Sequence, residues 1–111
     1  MTECIFCKII NRQLPATLAY EDGEAVAFAD IHPKAPVHLL IVPKQHIASL
    51  ADVSESDGGL LARLLLIVQR LAVEQGISQR GYKTVINTGA DGGQVVDHLH
   101  IHLLGGAHLS D

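Results

Sequence analysis

The chain has 111 residues, which suits one compact domain over residues 1–111, and its 48% hydrophobic content is enough to build a core. Its formal net charge is -4 with only 8 lysine and arginine residues, so it lacks the basic surface that nucleic-acid binding requires. The apolar run over residues 60–73 is interrupted by Arg63, Gln69 and Arg70, which argues against a transmembrane segment. We expect a cytoplasmic protein without nucleic-acid or membrane partners.

The N-terminal segment predicts one short amphipathic helix. Apolar residues recur at helical spacing over residues 4–13. Thr2 is positioned to cap this helix, and Pro15 follows it. Its apolar face is expected to lie on a sheet.

A second, longer helix is predicted in the middle of the chain. Ser54 and Asp57 have the spacing of a capping box, and an apolar stripe at helical spacing follows and ends near Gly76. We expect this stripe to pack on a sheet rather than to bind a ligand. Its members are Leu60, Leu61, Leu64, Leu65, Val68, Leu71 and Ala72.

The remaining segments predict short β-strands. Two of them flank a turn at residues 21–24 and predict a hairpin, in which Gly23 is free to adopt a positive φ. Several strands around one long helix, joined by tight turns rather than regular βαβ alternation, indicate an α+β domain with a mainly antiparallel sheet. The predicted strands cover residues 17–20, 25–29, 37–42, 82–87 and 98–104, and a glycine-rich turn at 88–94 precedes the last of them.

The most informative segment is HLHIHLL at residues 98–104, where histidine alternates with aliphatic residues at the period of a strand. In a strand, His98, His100 and His102 would share one face at intervals of about 6.5–7 Å, and the aliphatic residues would face a core. A single histidine here would most simply be a satisfied polar residue, but three at this spacing indicate a functional site. Imidazole acts as base, nucleophile or metal ligand, so the residues alone leave the chemistry open.

This motif, preceded by DGGQ at 91–94 and followed by two glycines at 105–106, resembles that of the histidine triad nucleotide-binding proteins. Further blocks resemble the same family, in order, along nearly the whole chain. The resemblance implies a five-stranded, mainly antiparallel sheet with one long and one short helix, and a homodimer in which two sheets join into ten strands. The further blocks are IFCKII at 5–10, AFADI at 27–31, APVH at 35–38, VPKQHI at 42–47 and VIN at 85–87.

The reaction that this resemblance implies is hydrolysis or transfer at the α-phosphorus of purine nucleoside 5′-phosphoramidates, such as adenosine 5′-monophosphoramidate. It proceeds through a covalent nucleotidyl-histidine and needs no catalytic cofactor. By position, His100 is the nucleophile, provided that a fixed acceptor holds its other ring nitrogen in the correct tautomer. His102 would contact the phosphate oxygens and the leaving group, and His38 would complete the histidine cluster and relay a proton. His98 is the remaining member of the triad.

The resemblance also implies contacts to a purine nucleotide such as AMP or GMP. Asp30 matches the carboxylate that accepts the ribose hydroxyls. The residues that match positions around the base are Phe6, Ile9, Leu14, Phe28 and Ile31, any of which equally suits ordinary core packing. The phosphate-binding side is matched by Asn87 and by the backbone of Gly93, Gln94 and Val95, where glycine permits close approach to an anion.

Two residues depart from the family pattern. Val95 stands where relatives often carry a hydroxyl group near the phosphate, and Asp97 adds a negative charge where many relatives have tyrosine. Val95 predicts slower catalysis, Asp97 predicts weaker binding at the phosphate or an orienting contact to His98, and both leave open an alternative, a nucleotide-binding interaction module with little turnover. A second alternative is a metallohydrolase in which the three triad histidines bind a catalytic metal, but this leaves the nucleotide blocks unexplained.

Cys4 and Cys7 are the two cysteines of the chain, and their close spacing suits free thiols or metal ligands in a reducing compartment. Two thiolates and two imidazoles form a closed tetrahedral zinc shell, and the family resemblance implies His46 and His98 as the two imidazole ligands. Such a metal would stabilise the fold rather than catalyse. The alternative is that both cysteines are small apolar residues of the first helix.

Overall fold

The computed structural model describes residues 4–110, and within this range the chain forms two α-helices and a single five-stranded sheet. All neighbouring strands are antiparallel, in the order β1-β2-β3-β5-β4. The predicted α+β class with one long and one short helix is therefore confirmed. The elements are α1 (Ile5–Ile10), β1 (Leu18–Glu21), β2 (Ala25–Ala29), β3 (Val37–Pro43), α2 (Gly58–Glu74), β4 (Tyr82–Val85) and β5 (Ile101–Gly105), with 3-10 turns at Leu50–Asp52 and Glu55–Asp57. Neither of the described helices is long and apolar enough to cross a membrane.

The central strand β3 is buried on both faces, which explains its nearly continuous apolar sequence. Leu39 and Ile41 join the core that α2 covers. Leu40 and Val42 point to the opposite face and pack in a second cluster with Phe6 of α1. The two helices thus cover opposite faces of the sheet.

The long helix α2 buries most of the predicted stripe. Leu65, however, is 53% exposed, while Ile67, which was not predicted, is buried. At about 100° per residue, Leu65 lies about 110° around the helix from the midpoint of the fully buried Leu64 and Leu71, and Ile67 lies about 50° from it, so the prediction was wrong for Leu65. The Ser54 backbone N–H donates to the Asp57 carboxylate as a capping box requires.

The short helix α1 ends at Ile10, three residues before the predicted end, because Arg12 adopts a left-handed conformation with φ of 62°. A left-handed residue cannot continue a right-handed helix. The predicted cap, Thr2, lies outside the described residues.

The β1–β2 hairpin forms as predicted, but its turn depends on a side chain rather than on a glycine with positive φ. Gly23 does not adopt a positive φ. Instead, Asp22 accepts hydrogen bonds from the backbone N–H groups of Glu24 and Ala25. Hydrogen bonds from Tyr20 and from Arg63 of α2 hold the pKa of Asp22 below its usual value. These contacts tie the hairpin to the long helix.

The last strand, β5, begins at Ile101, three residues later than predicted. Continuing the β3–β5 register would place Leu99 opposite Pro43, which has no N–H to donate. The Leu99 N–H bonds the carbonyl of Ile47 instead, at 2.7 Å. His98 and His100 therefore precede the ladder, and only His102 lies within it. Strand β4 likewise stops at Val85 rather than at residue 87.

Candidate active site

Three of the four predicted catalytic histidines meet on the sheet face that α1 covers. His38 lies on β3 and His102 on the neighbouring β5, and His38 Nε2 is 2.9 Å from His102 Nδ1. The rings of His100 and His102 have centroids 5.0 Å apart. His38 and His100 are buried, whereas His102 is partly exposed. The group therefore presents one accessible edge to a ligand.

The tautomer of His100 is set by a backbone carbonyl. Its Nδ1 lies 2.7 Å from the carbonyl oxygen of His98, and because a carbonyl only accepts, Nδ1 carries the proton. In the neutral ring, Nε2 then holds a free lone pair. The Phe6 ring packs edge-on against this imidazole, with centroids 5.1 Å apart and an interplanar angle of 88°. His100 thus has the tautomer that a nucleophile requires.

The neighbouring pair takes the opposite tautomer. The Lys34 backbone N–H donates to His38 Nδ1 at 3.1 Å, so the proton of His38 is on Nε2 and is donated to His102 Nδ1. The remaining proton of neutral His102 is therefore on Nε2. No sequence motif pointed to Lys34, because its backbone amide, rather than its side chain, makes the contact. The site thus combines a lone pair on His100 with an N–H donor on His102.

Asp30 lies beside this cluster, directly after β2. One carboxylate oxygen is 3.4 Å from His38 Nε2, and the other accepts the backbone N–H of His32. Burial lowers the pKa of His38, and the Asp30 carboxylate partly offsets this effect. An acceptor is thus available next to the histidines, where the predicted ribose contact requires one.

The residues predicted around the base have different surroundings. Phe6 and Phe28 are buried, with ring centroids 5.4 Å apart, and belong to the core beneath the histidines. Ile9 and Leu14 line a groove of about 360 Å³ that the segment between α1 and β1 forms. Ile31 is 80% exposed in the loop after Asp30. The structure thus divides these five residues among a core, a groove and a loop.

The glycine-rich loop on the predicted phosphate side is held by its own side chains. Asn87 donates to the Gly92 carbonyl, and Gln94 donates to the carbonyls of Ala48 and Val96 while accepting from the Gly89 N–H. Both amides are therefore engaged in shaping the loop. Gly93 has a φ of 82°, which favours glycine. Val95 is 90% exposed, and Asp97 is also exposed.

A second cluster contains Cys4, Cys7, His46 and His98, whose donor atoms all lie within 4.8 Å of one another. Cys4 is the N-cap of α1, and its Sγ accepts the Cys7 backbone N–H. His98 donates from Nε2 to the Pro43 carbonyl at 2.8 Å, which leaves its Nδ1 lone pair facing the sulfurs. Such an outer hydrogen bond is typical of a metal-ligating histidine.

The spacing of these four donors fits a tetrahedral zinc ion. Bonds of about 2.3 Å to sulfur and about 2.0 Å to nitrogen imply S···N separations of about 3.5 Å and N···N separations of about 3.3 Å. The Sγ–Nδ1 distances are 3.3 Å from Cys4 to His98, 3.3 Å from Cys7 to His46 and 3.5 Å from Cys7 to His98. The two Nδ1 atoms are 3.1 Å apart. Burial and the adjacent Cys4 raise the pKa of Cys7 to about 11, so a pair of thiolates here requires a cation.

The triad histidines do not form one metal-ligand group in the described part of the chain. His98 belongs with the cysteines, while His102 is grouped with His38 and Asp30. The hydrogen bond between His38 and His102 accounts for the second grouping without a metal. The described donor groups therefore do not favour the predicted alternative in which all three triad histidines bind one catalytic ion.

Comparisons with known proteins agree with this architecture. Residues 3–111 match the family model described as "Scavenger mRNA decapping enzyme C-term binding". An uncharacterized HIT-like protein of Synechococcus elongatus is 52% identical over 108 residues, which cover 97% of this chain and 94% of that protein. The purine nucleoside phosphoramidase of Escherichia coli K12 is 43% identical over 107 residues, covering 96% and 90% of the two chains. The crystal structure of a HIT family hydrolase from Legionella pneumophila has a TM-score of 0.96 and 48% identity, covering 97% of this chain and 96% of that one.

We predict that His102 stays neutral down to about pH 5. Burial, together with the rings of His100 and His38, lowers its pKa to about 4. Since this pKa is below the unfolded value of about 6.5, the stability that neutral His102 contributes is complete above about pH 6.5 and is lost as the pH falls toward 4. An NMR titration of ¹⁵N-histidine-labelled protein, with the resonance assigned by its loss in His102→Gln, measures the midpoint. A midpoint near 6.5 would contradict the prediction.

Proposed function

We propose that this chain, which belongs to the histidine triad (HIT) family of nucleotide hydrolases, cleaves purine nucleoside 5′-phosphoramidates through a nucleotidyl intermediate on His100. The observation that carries the proposal is the fixed tautomer of His100, whose Nδ1 donates to a carbonyl and whose Nε2 is left to attack phosphorus. The 43% identity to the phosphoramidase of Escherichia coli K12 supports the substrate class.

In the first step, His100 Nε2 attacks the α-phosphorus as the bond from phosphorus to the leaving nitrogen breaks. The negative phosphate raises the pKa of the adjacent His102, so that the protonated ring supplies the proton that the leaving amine needs. In the resting state His38 orients His102 through the hydrogen bond from its Nε2–H to His102 Nδ1, and this contact opens when His102 gains a proton on Nδ1 from solvent. The products are an amine and a nucleotidyl-His100.

In the second step, water attacks the same phosphorus, and the bond between phosphorus and His100 breaks. His102 accepts the proton that the water loses, which returns both rings to their starting states. The product is a nucleoside monophosphate such as AMP or GMP. Asp30 would accept hydrogen bonds from the ribose, since it follows β2 beside the histidines.

A nucleotide-binding module with little turnover is the second candidate, and the surface at residues 95–97 favours it. Val95 is 90% exposed and has no hydroxyl group to donate to a phosphate oxygen. Asp97 is exposed and adds a negative charge. Both features act on the phosphate side of the site, so they leave recognition of the nucleoside available.

Replacing the nucleophile separates these two candidates. We predict that His100→Ala lowers kcat/KM for a fluorogenic adenosine phosphoramidate by about 10³-fold or more, because the acceptor nitrogens of the neighbouring His38 and His102 are already engaged. His108→Ala, at an exposed residue outside the cluster, should leave the rate unchanged. Mass spectrometry of acid-free quenched mixtures should recover the nucleotidyl adduct on His100.

Turnover that survives in His100→Ala would eliminate the mechanism. Binding of AMP by the parent protein without turnover would favour the interaction module.

We also propose that Cys4, Cys7, His46 and His98 hold a structural zinc ion, which the donor set and its spacing support. When bound, zinc would join α1 to the segments after β3 and before β5 and would take no part in the reaction. Cysteines outside disulfides, as thiols or as thiolate ligands, persist in a reducing compartment, which supports a cytoplasmic location.

Metal analysis tests the zinc proposal. We expect about one zinc ion per chain in protein purified without chelator, and a content near zero in Cys4→Ser. Because bound metal stabilises only the folded state, Cys4→Ser should lower Tm by at least about 5 °C. His108→Ala serves as the matched control and should retain the metal. A parent protein without zinc under these conditions would refute the proposal.

We further propose a homodimer in which two β4 edges pair and extend the sheet to ten strands. Strand β4 is an edge strand of the sheet, and unpaired edges are normally covered. Leu66 and Val73 are seven residues apart on α2 and are 58% and 63% exposed, and Tyr82 of β4 is also exposed. An apolar helix surface and an open edge on one molecule support pairing with a second copy.

The oligomeric state tests this pairing directly. Light scattering of the parent protein should give twice the chain mass of 11.9 kDa. Leu66→Glu should give a monomer, since a charge is costly in an apolar interface. Leu50→Glu, at a leucine of the first 3-10 turn that is 39% exposed, should remain dimeric. A monomeric parent at micromolar concentration would contradict the prediction.

A further inference from the structure

We propose that the Cys4, Cys7, His46 and His98 cluster positions the nucleophile, so that His98 and His46 act as positioning residues for the reaction at His100. This inference rests on the proposed function only for its kinetic consequence. The connection itself is a set of contacts that joins the cluster to the His100 ring along two routes.

The first route runs through the peptide group between His98 and Leu99. Its carbonyl accepts the Nδ1–H of His100 at 2.7 Å, and its N–H donates to the Ile47 carbonyl at 2.7 Å. This peptide group precedes β5, so the β3–β5 ladder does not orient it. Its orientation depends instead on the contact between the segment that contains Ile47 and the segment that contains His98.

The cluster provides that restraint. His46 immediately precedes Ile47 and His98 immediately precedes Leu99 in the chain. The Nδ1 atoms of these two histidine rings are 3.1 Å apart. His98 is fully buried, and its Nε2–H is anchored on the Pro43 carbonyl. Contacts among the four donors therefore clamp the two segments whose backbone groups meet at the peptide between His98 and Leu99.

The second route runs through Phe6, which Cys4 and Cys7 flank in α1. The Phe6 ring contacts both triad residues, with centroids 5.1 Å from the His100 ring and 6.0 Å from the His98 ring. Cys4 and Cys7 each approach His98 Nδ1, at 3.3 Å and 3.5 Å. Attaching α1 to the cluster therefore also sets where Phe6 packs against the nucleophile.

Loosening the cluster should release the His98 carbonyl and let the His100 proton move to Nε2. A ring protonated there cannot attack phosphorus, so catalysis falls while nucleotide binding is retained. The expected pattern is a loss in kcat of about 10-fold to 100-fold with KM changed by less than about 2-fold, as is usual when an outer contact of a reactive group is lost.

The experiment compares His46→Ala and Cys7→Ser with the parent and with two controls. His108→Ala controls for loss of a histidine, and Leu71→Val, in the core on the opposite face of the sheet, controls for loss of stability. ¹⁵N NMR of the imidazoles reports the His100 tautomer at neutral pH. We expect Nδ1–H in the parent and in both controls, and a mixture of tautomers in His46→Ala and Cys7→Ser.

A parent-like tautomer together with a parent-like kcat in both cluster variants would overturn the inference. If one variant does not fold, the other carries the comparison. If neither variant folds, the parent protein is stripped of metal with a chelator and then titrated with Zn²⁺ alone. An unchanged His100 imidazole signal during this titration counts against the inference. A parent without turnover would refute the proposed function but would leave the tautomer comparison as a separate test of the positioning role.

Discussion

The antiparallel pairing of β3 with β5 is the constraint on which the candidate active site depends. It brings His38 and His102, 64 positions apart in the chain, within hydrogen-bond distance. It also stops short of Leu99, because Pro43 has no N–H to extend the ladder. His98 and His100 therefore lie outside the ladder, and the His98 carbonyl accepts a hydrogen bond from the His100 ring.

Burial of several imidazoles gives the site its order of donors and acceptors. Burial lowers the pKa values of His38, His98 and His102, which favours neutral rings. A neutral imidazole has one donor nitrogen and one acceptor nitrogen. A contact that fixes the role of one nitrogen therefore also fixes the role of the other. The Lys34 amide therefore determines the proton position on His38 and, through it, on His102, while a carbonyl determines that on His100.

Sequence patterns predicted the elements because each pattern reports a local property. The two-residue alternation before residue 104 predicted a last strand with one aliphatic face, and Leu99, Ile101 and Leu103 are in the core beside α2. The predictions that were wrong concern boundaries and exposure. The start of β5 depends on a proline that is distant in sequence, and the exposure of Leu65 depends on where the sheet contacts α2.

The sequence by itself determined the α+β class, the two helices and the family to which the chain belongs, because spacing and motif are properties of the chain alone. Only the tertiary structure divided the triad between two clusters, with His98 beside the cysteines and His100 beside His102. It also decided which ring nitrogen carries each proton. Both outcomes depend on backbone groups, at Lys34 and Pro43, that no side-chain pattern reveals.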